Sequence, residues 1–187
     1  MNVLLGFAPF AVFAVLGHVL SLMPALFAAA AVSAVIIVHD LLRKTTPKLL
    51  EIGSMVLFGG LGLYALLFEP RWLVLEVRLF VDIGLLIIVA ASIVVGRPFT
   101  LAYARERTPQ RVWNQPALLK TSRAISMAWL AAIAMLVIAD VVMVYVTVVP
   151  LKVGVVMSVL AILWAVRFTR RKIATARAIS SDSMANG

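Results

Sequence analysis

Gly96-Arg97-Pro98-Phe99-Thr100-Leu101-Ala102-Tyr103-Ala104-Arg105-Glu106-Arg107-Thr108-Pro109 is the one long polar interruption in an otherwise apolar chain. Polar character continues through Arg111, Trp113 and Lys120 as far as Arg123. On either side lie apolar runs long enough to cross a hydrocarbon core of roughly 30 Å. The chain is 64% hydrophobic with a mean hydropathy of +1.09, whereas soluble domains are about half apolar. A soluble fold would leave several helices apolar on every face in contact with water. The expected fold is therefore an all-α, polytopic membrane domain.

Working outward, six spanning helices are expected, near residues 3–22, 24–42, 49–68, 72–95, 124–149 and 153–168. Together, residues 1–168 make one transmembrane domain, and 169–187 a frayed, basic and then Ser/Ala-rich tail. The first run lacks the positive start of a cleaved signal and is long, so it reads as a retained helix. Pro24 suits a first helical turn. Gly53, Gly59, Gly60 and Gly62 mark a face of the third helix that packs closely on a neighbour. Trp72 reads as an interfacial anchor. Between helices four and five, Pro98 starts a short helix lying at the membrane surface, and Pro109 ends it.

The cations fix an orientation. With six spans, every Lys and Arg except Arg71, Arg78 and Lys152 falls at one side or its helix ends. Cytoplasmic loops carry such an excess. The termini and the residue 96–123 stretch are thus expected in the cytoplasm, beside anionic head groups. The net charge of +9 is spent there, and no nucleic-acid recognition fold accompanies it.

Four charges fall inside spans: Glu76, Arg78 and Asp82 in the fourth helix, and Asp140 in the fifth. Each costs about 2.5–3.5 kcal/mol at the bilayer centre unless compensated. Arg78 and Asp82 are spaced to pair. Asp82 and Asp140 both lie roughly 15 Å from the outer surface at helical rise. Two readings stand: an ion-pair cluster that fixes helix register, or a proton or ion pathway in a small transporter. His18 and His39 differ in depth by more than about 10 Å, which excludes bis-histidine haem, and His39-Asp40 reads as an interfacial polar pair. With no cysteine, thiol and disulfide chemistry is excluded. No hydrolase, zincin or phosphate-loop motif occurs, and neither an enzymatic reaction, a metal nor a cofactor is expected.

The motif Gly96-Arg97-Pro98-Phe99-Thr100-Leu101-x-Tyr103-Ala104-Arg105-Glu106, followed by Pro109, Trp113 and Pro116, resembles the intracellular septation protein A-like group of bacterial inner-membrane proteins. That group carries a G-[KR]-P-F-T-x-x-Y-A-R-E signature after a spanning helix. Leu42-Arg43 and Leu50-Glu51-Ile52-Gly53 also resemble its second loop. The resemblance implies a small polytopic protein of the bacterial cytoplasmic membrane, linked to envelope synthesis and division.

A non-enzymatic membrane protein that binds lipids or a protein partner is the leading functional expectation. Arg97, Arg105, Arg107 and Arg111 would contact phosphates, to which Arg is suited. Phe99, Tyr103 and Trp113 would anchor the loop, with Pro98, Thr100 and Glu106 completing the motif. The glycine-lined faces are also compatible with a homo-oligomer.

Overall fold

The computed structural model describes residues 3–106, 108–146 and 151–185. Its elements are α1 (Val3–Gly6), α2 (Ala8–Val19), α3 (Leu22–Leu42), α4 (Leu49–Phe68), α5 (Val74–Val94), α6 (Phe99–Arg105), a 3-10 turn (Gln110–Val112), α7 (Pro116–Tyr145) and α8 (Leu151–Ala185). No strand occurs among the described residues. Two compact units divide the chain, Met1–Ser92 and Ile93–Gly187.

Five helices, α3, α4, α5, α7 and α8, have a segment long and apolar enough to cross a membrane. Their outer faces carry large exposed apolar side chains, among them Val35, Val56, Ile87 and Leu160. Such belts fit lipid as solvent, and helices satisfy their own backbone hydrogen bonds there. This is the pattern of a multi-pass membrane protein. The sixth expected span differs: the chain breaks at Phe7 into α1 and the 12-residue α2. Pro9 stands at the start of α2. Its ring has no N–H to donate and collides with the preceding turn's carbonyl, so one continuous helix cannot pass through it unbent. At helical rise α2 covers about 18 Å, less than a hydrocarbon core.

In the first unit, Phe58 of α4 is the hub. Its ring packs on Phe10 and Phe13 of α2 at 5.0 and 5.5 Å. Ala25, Leu26 and Ala29 of α3 and Val77 and Val81 of α5 complete the cluster. The expected close packing at the α4 glycines holds for two of them. A Cβ on Gly53 would lie 2.8 Å from Ile88 of α5, and one on Gly62 would lie 3.3 Å from Phe27 of α3. Gly59 and Gly60 face open space, with nothing described within 4 Å. Trp72 stacks on Tyr64 at 5.2 Å and tilts against Phe80, tying the end of α4 to the start of α5.

In the second unit, α7 and α8 form an antiparallel pair. Near one end, Gly154 lies so close beneath Met143 that no Cβ would fit between them. Further along, Trp129 Nε1 donates to Thr169 Oγ1 at 3.1 Å. The expected end of the last helix, at residue 168, is corrected: α8 runs on to Ala185. Residues 169–185 hold no Gly or Pro, and four Ala and three Arg among them favour helix. The loss of apolar character ends the membrane-compatible segment, not the helix.

Candidate functional site

Polar chemistry gathers in three places. The first is the α3–α4 turn. Asp40 lies in the last turn of α3, and Thr45 caps that end by donating N–H and Oγ1–H to the Asp40 carbonyl, both at 2.9 Å. Pro47 then turns the chain, and Glu51 caps α4 by accepting the Lys48 N–H at 3.0 Å. These two caps fold the Lys48 side chain inward. Lys48 Nζ reaches Asp40 Oδ2 at 2.5 Å and Glu51 Oε1 at 3.3 Å. All three side chains are buried. His39 Nδ1 stands 3.5 Å from Asp40 Oδ1 and is half exposed. The expected His39–Asp40 pair is therefore the rim of a larger ion cluster. By sequence, Lys48 belongs with the loop cations facing head groups, because Arg43-Lys44-Thr-Thr-Pro-Lys48 reads as a solvated turn. Only the spacing to Glu51, a capping-box interval, hints otherwise.

The second place is the motif between α5 and α7. Gly96 takes a φ of +75°, open to glycine without steric cost, and so ends α5 and turns the chain. Pro98 precedes α6, whose Phe99, Thr100, Leu101 and Tyr103 are buried. Thr100 Oγ1 donates to the Ser122 carbonyl at 2.8 Å and lies 2.8 Å from Ser126 Oγ, fastening α6 to α7. Trp113 Nε1 then reaches the carbonyls of Arg105 and Thr108, each at 3.0 Å. Arg105 is the last residue of α6, where carbonyls lack intrahelical partners, and its carbonyl also accepts the Thr108 N–H at 3.3 Å. The Arg105 guanidinium lies over the Trp113 ring at 5.7 Å, a cation–π distance.

The motif thus divides. Phe99, Thr100 and Tyr103 are packed inside the protein, Arg105 is half-buried against Trp113, and Arg97, Glu106 and Arg111 are exposed. Arg107 lies outside the described residues. The bonding role of Trp113 is not legible in the sequence, where it reads as an aromatic at an interface.

The third place is the set of charges within apolar helices. Glu76 accepts the Leu73 N–H at 2.9 Å and so caps α5. Arg78 is half-buried and Asp82, one turn further on α5, is buried. Asp140 is buried on α7 in the second unit. No group of three His, Cys, Asp or Glu forms a metal-ligand set among the described residues. Comparisons with protein-family models, curated proteins and solved structures give no match for this chain.

Proposed function

We propose that this is a non-enzymatic, multi-pass protein of the bacterial cytoplasmic membrane, similar to the septation protein A-like group, whose residue 97–113 platform docks on anionic groups at the cytoplasmic surface as part of the cell envelope. One observation carries this reading. Thr100 fastens α6 to α7 with Phe99 and Tyr103 buried beside it, while Arg97 and Arg111 stay exposed on the platform so formed. A turn needed only for chain reversal requires no such rigid support.

The orientation follows from charge. Were α3, α4, α5, α7 and α8 each to span in turn, the 43–48 turn, the 96–123 segment and the second half of α8 would share one side, whatever α2 does. That side holds nearly all the cations and is assigned to the cytoplasm.

Arg97→Gln/Arg111→Gln tests the proposal. At unchanged membrane level, the double variant should fail to rescue the envelope phenotype of a strain lacking the protein. Full rescue would reduce the platform to a topology signal.

A second reading, a proton-coupled or ion pathway, is favoured by the burial of Asp82 and Asp140 within apolar helices. Flux in proteoliposomes that disappears in Asp140→Asn would put it first.

A further inference from the structure

A groove of about 400 Å³ runs between α7 and α8, lined by Ala131, Met135, Met157, Leu160, Ala161 and Trp164. Its wall is apolar, and the alanines keep it open. The groove has direction. Trp164 stacks on Phe168 at 5.7 Å, and Lys172 Nζ lies over the Phe168 ring at 5.7 Å. An unbroken path therefore leads from apolar wall to ammonium along one face of α8. Arg171 follows Trp164 by seven residues and Lys172 follows Ala161 by eleven, two and three helical turns, so both cations stand on the groove side. On α7, Lys120 precedes Ala131 by eleven residues and stands above the groove in the same way. Trp129 bonds Thr169, which places the Lys120 end of α7 beside the basic half of α8. All three cations are exposed.

We propose that this groove binds one anionic phospholipid, an acyl chain lying against Ala131 and Ala161 and the head-group phosphate meeting Arg171 and Lys172, with Lys120 about 9–10 Å further along the helix axis. The cations begin about 10–12 Å beyond Trp164 at helical rise, so a phosphate among them leaves its acyl chain running on toward Trp164. Charge complementarity selects the occupant: an apolar groove alone would take any lipid, and a cation patch alone any anion. This site shares with the proposed function only the assignment of the basic side to the cytoplasmic leaflet, and it does not depend on the platform.

Native mass spectrometry of the full chain, released from detergent after exposure to phosphatidylglycerol or phosphatidylcholine of identical acyl chains, tests it. The wild type should retain one phosphatidylglycerol with a preference on the order of tenfold, since each basic residue near the head groups contributes a few-fold. Arg171→Gln/Lys172→Gln should bring the two lipids to parity. Ala131→Leu, at an exposed position, should lower retention of both. Arg97→Gln/Arg111→Gln should keep the lipid, so failure of the platform reading leaves this one standing. Equal retention by the wild type, an undiminished preference in Arg171→Gln/Lys172→Gln, displacement of the lipid by inorganic phosphate, or a lipid-free dimer joined along the groove would each overturn the proposal.

Discussion

Lys48 Nζ lies 2.5 Å from Asp40 Oδ2, and both side chains are only 2% exposed. Glu51 adds a second carboxylate to the same ammonium. Taking such groups out of water costs several kcal/mol each, and their attraction repays this only while the partners stay together. Lys48→Met should therefore lower stability by about 3–5 kcal/mol, read as thermal unfolding in detergent. Replacing the whole cluster, Asp40→Leu/Lys48→Met/Glu51→Gln, should recover most of that loss. No buried charge is left in it, and the new amide oxygen still accepts the backbone N–H that caps α4. A triple variant no better than Lys48→Met would show that the charges themselves hold the α3–α4 turn.

The contrast between Lys48 and its neighbours shows what sequence reading reaches. Apolar length located the five candidate spans, because crossing a hydrocarbon core imposes a run visible in any window, but α7 starts at Pro116, not at the expected residue 124, so residues 116–123 are helix and not loop. Burial of Lys48 depends on two caps made across a turn, and no local pattern distinguishes it from the exposed Arg43 and Lys44. Likewise, the polar residues after Phe168 marked where the apolar segment ends, but helix propensity rather than hydropathy decides where α8 stops. In the residue 96–109 motif, Phe99 and Tyr103, four residues apart and so on one helix face, read as anchors at the membrane interface. That the face is turned onto protein instead of lipid is set by Ser122 and Ser126 of α7, which lie beyond the motif.

Helix approach in the second unit yields the next prediction. A Cβ on Gly154 would stand well inside van der Waals contact with Met143, meeting Cγ at 2.7 Å as well as the sulfur. Movement of the thioether's far end alone does not clear that clash. Gly154→Ala should cost about 1–3 kcal/mol, as overpacking does. Adding Met143→Ala should return part of it. The unfolding energies of the two single variants and the double variant form a cycle whose coupling should be favourable and exceed about 0.5 kcal/mol. Strict additivity would mean that the helices separate freely at this level.

The platform's bonds can be tested without touching its cations. Trp113→Phe keeps a ring for Arg105 but removes the N–H shared by the Arg105 and Thr108 carbonyls. A loss of about 0.5–1.5 kcal/mol is expected. Thr100→Val withdraws the partner of the fully buried Ser126 hydroxyl and should cost about 1–3 kcal/mol. Hydrogen exchange of the α6 amides reads both. It should rise in each variant while exchange in α3 and α4 stays unchanged. Equal rises throughout the chain would mean that α6 has no local stability of its own.

Two turn residues should respond with opposite signs, because both occupy left-handed backbone. Gly96 has φ +75° and Glu69, which ends α4, has φ +41°. An L side chain in this region costs about 1–2 kcal/mol. Gly96→Ala incurs that cost and should destabilise by about this amount. Glu69→Gly relieves it but adds about 0.5–1 kcal/mol of unfolded-state freedom, leaving a net gain of about 0.5–1 kcal/mol. The Glu69 side chain is exposed, and the bond ending α4 runs from its backbone N–H to the Ala65 carbonyl, which glycine retains. Thermal unfolding in detergent should therefore move down for Gly96→Ala and up for Glu69→Gly. A fall in both would assign the Glu69 carboxylate a stabilising contact that outweighs the relief of backbone strain.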